Sequence, residues 1–129
     1  MSIRLFIAAA ACFAFAAFAQ SQPTSKSQAE INAERVGAPS IDKAELCDAE
    51  MLVRGAPRYP PDALRYRTEG WALVSYDLDG SGKAVNITLV RSNPSGVFER
   101  ATIDVFVRTK FVVGAARAGC KSLVMYTLG

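Results

Sequence analysis

Trp71-Ala72-Leu73-Val74-Ser75-Tyr76-Asp77-Leu78, then Asp79-Gly80-Ser81-Gly82, then the run KAVNITLVRS over residues 83–92, decide the fold. The first run is aromatic and β-branched with partial alternation, the mark of a half-buried strand. Asp-Gly supplies backbone that tolerates positive φ, so residues 79–82 read as a tight turn. In the return run Val85, Ile87 and Leu89 alternate with Asn86, Thr88 and Val90. The three pieces make a β-hairpin.

The flanks extend this unit on both sides. Pro57 and the pair Pro60-Pro61 punctuate the chain upstream. A helix begins at Pro60 or Pro61, where a missing amide hydrogen costs nothing, with Asp62 favoured by the helix dipole in the first turn. Gly70 is its natural stop. Before it, a short strand is expected near Met51–Arg54. Downstream, Asn93-Pro94-Ser95-Gly96 leads into a second helix whose Phe98, Ala101, Thr102, Val105 and Phe106 share one stripe. Phe111-Val112-Val113 reads as extended and residues 114–119 as turn-like. Lys121 to Leu128 is a last strand, with Leu123, Met125 and Thr127 opposite Val124, Tyr126 and Leu128. The order predicts an α+β fold in two layers, a small antiparallel β-sheet with two helices packed on one face.

The first 19 residues stand apart. Arg4 precedes an apolar run from Leu5 that closes on Ala17-Phe18-Ala19 before the polar Gln20. A charged start, an apolar middle and an A-x-A end are the layout of a secretory signal peptide, cleaved after Ala19. The rival is an uncleaved inner-membrane anchor, but a spanning helix needs about 20 apolar residues and this run has 15. Cleavage leaves 110 residues and a net charge of +2, since Arg4 leaves with the segment. Residues 20–40 are polar and read as a flexible N-terminal lead, with a short helix around Ser27–Arg35 as an option. The compact domain is expected over residues 41–129.

Composition limits the chemistry. The chain has no histidine, so Ser-His-Asp triads, Cys-His pairs and His-ligated zinc sites are excluded. Three cysteines are too few for a four-thiolate zinc site. Cys12 leaves with the signal, and Cys47 and Cys120 remain. In an exported protein that pair most simply forms a disulfide closing a 73-residue loop, the alternative being two free buried thiols. The segment Asp77 to Gly82 resembles a calcium loop only superficially, because the twelfth position counted from Asp77 is Thr88 and from Asp79 is Val90. Glu69, Asp77, Asp79 and Glu99 form no paired-carboxylate site, and Ser75, Ser81 and Ser92 have no base to activate them. No catalytic residues, cofactors, metal or small-molecule substrate are expected. Export and the small net charge argue against nucleic acid.

Five elements in order resemble the C-terminal domain of the TonB energy-transducer family, from about Ala56 to Gly129. They are Pro57-Arg58-Tyr59-Pro60 with Ala63, Glu69-Gly70-Trp71, Asp79-Gly80-Ser81-Gly82-Lys83, Val90-Arg91-Ser92 running on to Phe98-Glu99-Arg100-Ala101, and Lys110-Phe111. Lys110 and Val113 stand where the family's W-x-F-x-P has tryptophan and proline. The resemblance implies a binding role. In the family, the segment leading into the Y-P motif meets a short peptide of an outer-membrane receptor, which marks Arg58, Tyr59 and Pro60. Arg54, Arg65 and Arg67 cluster nearby, a positive rim for an acidic partner.

The last strand adds a second surface. Leu123, Val124, Met125, Tyr126 and Thr127 at a sheet edge would offer main-chain groups to an extended peptide by β-strand addition, or to a second copy in a homodimer. The alternative is an inner strand covered by another. Family transducers carry a membrane anchor and a long proline-rich spacer, whereas this sequence reads as a cleavable signal with no such spacer. The expectation is a stand-alone, non-enzymatic periplasmic module that engages an envelope protein or outer-membrane receptor peptide. The alternatives are a membrane-anchored short transducer for outer-membrane transport and a self-associating structural envelope protein.

Overall fold

The computed structural model describes residues 25–129. The segment assigned to the signal peptide, with its cleavage after Ala19, lies outside the described residues. Among the described residues no helix is long and apolar enough to cross a membrane.

The hairpin is the centre of the molecule. Strand β2 (Gly70–Leu78) lies between β3 (Ala84–Asn93) and β5 (Arg117–Tyr126), antiparallel to both. Alternation sends Ala72, Val74, Tyr76 and Leu78 to one face, where they meet Phe98, Val105, Phe106, Phe111, Val124 and Tyr126 in a single buried cluster. Helix α3 (Glu99–Arg108) lies on this face and buries Thr102, Val105 and Phe106. Its apolar stripe is the one read from the sequence. Helix α2 (Pro61–Arg65) starts with Pro60 as its cap and Pro61 in its first turn, and buries Ala63.

The hairpin turn is held by one carboxylate. Asp79 Oδ1 accepts the Ser81 amide at 2.9 Å, the Ser81 hydroxyl at 2.7 Å and the Lys83 amide at 3.0 Å. Gly82 then takes φ +84°, and a Cβ there would lie 2.5 Å from the Phe111 carbonyl. Only glycine lets the turn approach the chain after α3 so closely. At the same end of the sheet Asp77 joins all three strands. Its Oδ1 accepts the Gly119 amide of β5 at 2.9 Å, and its Oδ2 accepts Asn86 Nδ2 of β3 at 3.0 Å.

The fold class is α+β as expected, but the strands divide differently. The short strands β1 (Met51–Val53) and β4 (Lys110–Phe111) pair with each other, Met51 opposite Phe111, as a separate two-stranded sheet. The cause is local. Phe111 is pinned by its ring in the core and by its amide on the Gly82 carbonyl at 2.9 Å, beyond the end of the hairpin. Strand β5 starts at Arg117, inside the stretch read as a turn, and ends at Tyr126, so Thr127 lies past it.

The polar segment before residue 41 contains helix α1 (Gln28–Arg35), opened by a capping box in which Ser27 and Glu30 exchange hydrogen bonds. It serves Trp71. That indole is buried but lies outside the main cluster, because alternation turns it to the other face of the sheet. Its Nε1 donates to the Val36 carbonyl at 3.1 Å, and the Arg91 guanidinium lies 5.4 Å from its ring centre. Arg35 pairs with Glu69, one step before β2.

Cys47 and Cys120 are joined as a disulfide, with Cα atoms 5.7 Å apart and both residues fully buried. Closing a loop of this length stabilises by about 4 kcal/mol in the chain-entropy model. Replacing both cysteines by serine is expected to remove much of that, read as a fall in the urea midpoint with a steeper slope, since the unbridged denatured chain exposes more surface. An unchanged midpoint would show that the bridge contributes nothing.

Acid offers a second test. Backbone bonding from Gly119, then the Asn86 side chain, holds the Asp77 carboxyl below its ordinary 3.8. A depressed carboxyl contributes stability above that value and loses it as pH falls through the folded one. The melting temperature is therefore expected to drop below about pH 4, and Asp77→Asn to flatten that slope. An equally steep acid slope in the variant would overturn the assignment.

Candidate protein-docking surface

Two groups of residues were expected to meet a partner, and the structure brings them together through their aromatic rings. The chain from Gly55 to Pro60 runs along α3. The Gly55 amide donates to Thr109 Oγ1 at 3.0 Å, and a Cβ on Gly55 would stand 2.4 Å from the Val105 carbonyl. Arg108 Nη2 donates to the Ala56 carbonyl at 2.7 Å. The segment is thus stapled to the C-terminal half of the helix before it reaches Tyr59.

Tyr59 sits edge-on to Phe98 and Tyr126, with ring centres 5.8 and 5.7 Å apart, while Phe98 and Tyr126 stack at 4.3 Å. Such pairs add about 0.5–1.5 kcal/mol each beyond buried area. The Tyr59 hydroxyl donates to the Thr68 carbonyl, which closes the α2 loop. Thr102 Oγ1 donates to the Phe98 carbonyl at 2.8 Å and so accepts from the Tyr126 hydroxyl at 2.9 Å. Burial, then the Glu69 charge, pushes the Tyr59 phenol up; burial pushes up Tyr126, and Tyr76 to about 12. All three are neutral near pH 7. Of the first group, then, Tyr59 is a half-buried anchor, Pro60 is the cap of α2, and Arg58 alone is exposed.

Of the second group, Val124 and Tyr126 point into the core, while Leu123 and Met125 are half-buried on the opposite face. What β5 offers is its main chain. It is an edge strand, paired on one side with β2. On the other side its first half is covered. Leu46 bridges Lys121 in parallel, Arg117 donates to the Leu46 carbonyl at 3.2 Å and to the Ala44 carbonyl, and Lys121 pairs with Glu45 at 2.8 Å. The disulfide pins this cover at Cys120. The Leu123 carbonyl, turned away from β2, accepts Arg54 Nη2 at 3.3 Å. Among the described residues no strand pairs with the outer side of β5 beyond Lys121.

Sequence reasoning did not find the cover that residues 43–47 lay over β5, or the reach of Arg54 to that strand. The cysteine pair was the available signal for the first, since a bridge from Cys47 must lay its neighbours beside Cys120. Glu69 was read as a motif residue and as no part of a carboxylate pair, and its tie was not foreseen. It receives Arg35 on one oxygen and the Leu128 amide on the other, which lowers its pKa and ties the end of the chain to the start of β2. Among the described residues no group of three histidine, cysteine or carboxylate side chains is placed to hold a metal.

Comparison with known proteins gives a consistent result. The model of the Gram-negative bacterial TonB protein C-terminal matches residues 55–123. Protein TonB of Yersinia enterocolitica is 33% identical over 66 residues, which are 51% of this chain and 26% of that protein. Protein TonB of Salmonella typhimurium is 25% identical over 107 residues, 83% of this chain and 41% of that protein. The chain therefore spans well under half the length of these relatives. Among solved structures, the Pseudomonas aeruginosa TonB C-terminal domain superposes with a TM-score of 0.55 at 22% identity, covering 64% of this chain and 91% of that one. The TonB2 protein of Vibrio anguillarum gives 0.53 at 26% identity, covering 70% and 90%.

The Tyr59 joint makes a graded prediction. Tyr59→Phe removes the bond to Thr68 and should cost about 1 kcal/mol. Tyr59→Ala also removes the edge-on ring from the Phe98–Tyr126 stack and should cost about 3 kcal/mol. Chemical denaturation reads both, and equal losses would show that the ring is not the anchor.

Proposed function

Because this chain belongs to the TonB C-terminal domain family, we propose that it is a non-enzymatic periplasmic module that binds an extended segment of an envelope or outer-membrane protein by strand addition to β5. The observation that supports this reading is the outer side of β5 from Leu123 to Tyr126, where the intramolecular cover has ended. Backbone groups alternate along a strand, so Leu123 and Met125 present theirs outward while Ser122, Val124 and Tyr126 bond to β2. A docked segment would gain main-chain hydrogen bonds there. Leu123 and Met125, half-buried on the sheet face, would contact its alternate side chains. Arg54, already at the edge, would meet an acceptor on the incoming strand. Delivery by a cleaved signal peptide fits a module of this kind.

Met125→Pro tests the reading. Proline removes the outward amide hydrogen and leaves the bonds of Val124 and Tyr126 to β2 in place. Isotope-labelled protein is titrated with overlapping synthetic peptides that copy the periplasm-facing segments of outer-membrane receptors from the same organism. The expected result is amide shifts over residues 123–127 and at least a tenfold weaker Kd in the variant. Undiminished affinity in a folded Met125→Pro protein would sink strand addition. Shifts at the same amides that grow with protein concentration alone would instead favour self-association.

A further inference from the structure

The sheet has a second edge. Strand β3 runs ten residues, Ala84–Asn93, and among the described residues no strand pairs with its outer side. Thr88 and Val90 stand exposed along it, Val90 at 48%. A long edge with β-branched side chains is a template for another strand. Its register tells against that use. Arg91 lies opposite Leu73 and Leu89 opposite Val74, so Val90 has no partner on β2. Thr88 lies opposite Ser75 and Val85 opposite Asp77, so two residues of β3 answer Tyr76 alone. Asn86 is the extra one, since it takes φ +53° while Ile87 packs against the core. Asparagine tolerates that backbone better than most residues. Its Nδ2 donates to Asp77 Oδ2 at 3.0 Å, and its carbonyl accepts the Thr88 hydroxyl at 3.2 Å. Both contacts hold the bulge in place.

We infer that Asn86 and Val90 close the β3 edge to incoming strands, and so leave β5 as the edge that a partner addresses. A bulge bends its strand and raises the local twist, which carries the outer amide and carbonyl groups out of line. Two bulges cut β3 into regular pieces of two, three and three residues, 84–85, 87–89 and 91–93. Strand β5, by contrast, keeps unbroken register with β2 over seven successive pairs, from Tyr126 to Cys120. Without the two extra residues β3 would alternate strictly, with Ala84, Ile87 and Leu89 toward α3 and Val85, Thr88 and Arg91 away from it. The bulges therefore add nothing to the core pattern, and their effect falls on the outer edge. For its consequence the inference rests on reading β5 as the docking edge. The closing of β3 itself is tested apart from β5.

Deleting Asn86, deleting Val90 and deleting both give three variants whose remaining β3 residues keep their faces. A melting curve shows which of them fold, and each folded one is isotope-labelled and followed through a dilution series. The wild-type amides of residues 84–93 are expected to stay still at every concentration. In the variants they are expected to move, with self-association roughly tenfold tighter in the double deletion than in the wild type and intermediate in the single ones. Folded variants whose β3 amides do not move overturn the inference, as does a wild type whose β3 amides do. A second measurement needs no variant. Wild-type protein is titrated with a blocked peptide that copies residues 83–92 and can pair with any open edge. Still amides over residues 84–93 support the inference, and shifts there overturn it. Movement over residues 123–127 in either experiment bears on strand addition to β5 alone, so either reading can fail without the other.

Discussion

Strand β2 is enclosed on every side, and the rest of the structure exists to enclose it. Its two edges are taken by β3 and β5, one face by α3 and its aromatic residues, and the other, at Trp71, by the chain that follows α1. Trp71 turns away from the face that α3 covers, while Leu73, Ser75 and Asp77 on its side of the strand are only half-buried. Trp71 is the residue that forces the third layer locally. Its indole demands both apolar cover and an acceptor for its N–H, and the Val36 carbonyl meets the second need.

That requirement explains which parts were legible in the sequence. Residues 71–92 announce the hairpin because the alternation, the Asp-Gly turn and the β-branched return strand agree. The α3 stripe is equally plain, since Thr102, Val105 and Phe106 recur at helical spacing. The hidden parts depend on contacts between residues far apart in the chain. Nothing near Trp71 reveals that a polar stretch some 35 residues earlier covers it. Nothing near Lys121 shows that Leu46 lies beside it, except the cysteine one residue from each. Alternation in Leu123–Tyr126 was visible, but which face turned inward depended on where α3 packs. Val124 and Tyr126 therefore serve the core rather than a partner. The pairing of β1 with β4 was obscured by their length, because two or three residues carry no period.

The aromatic joint of Tyr59, Phe98 and Tyr126 links the two surfaces considered for binding. It connects the segment that carries Tyr59, the first turn of α3 and the last residue of β5 through ring contacts under 6 Å. A change in the position of one ring must move the others, because close-packed interiors leave no slack. Of the charges nearby, Asp104 and Glu69 are neutralised by Arg108 and Arg35, while Arg58 and Arg100 are left for solvent or a ligand.

The cover over the first half of β5 has a consequence for how long any bound strand can stay. Only Leu123 and Met125 turn backbone groups outward beyond it, and Arg54 already holds the Leu123 carbonyl. The three main-chain groups left, at about 1 kcal/mol each, come to less than the roughly 4 kcal/mol of a millimolar complex, even before the cost of ordering the incoming chain. A contact of that size forms and parts quickly, because related complexes differ mostly in their off-rates. The bridge that pins residues 43–47 would thus limit the lifetime of such a complex as well as unfolding, because it keeps the open edge short.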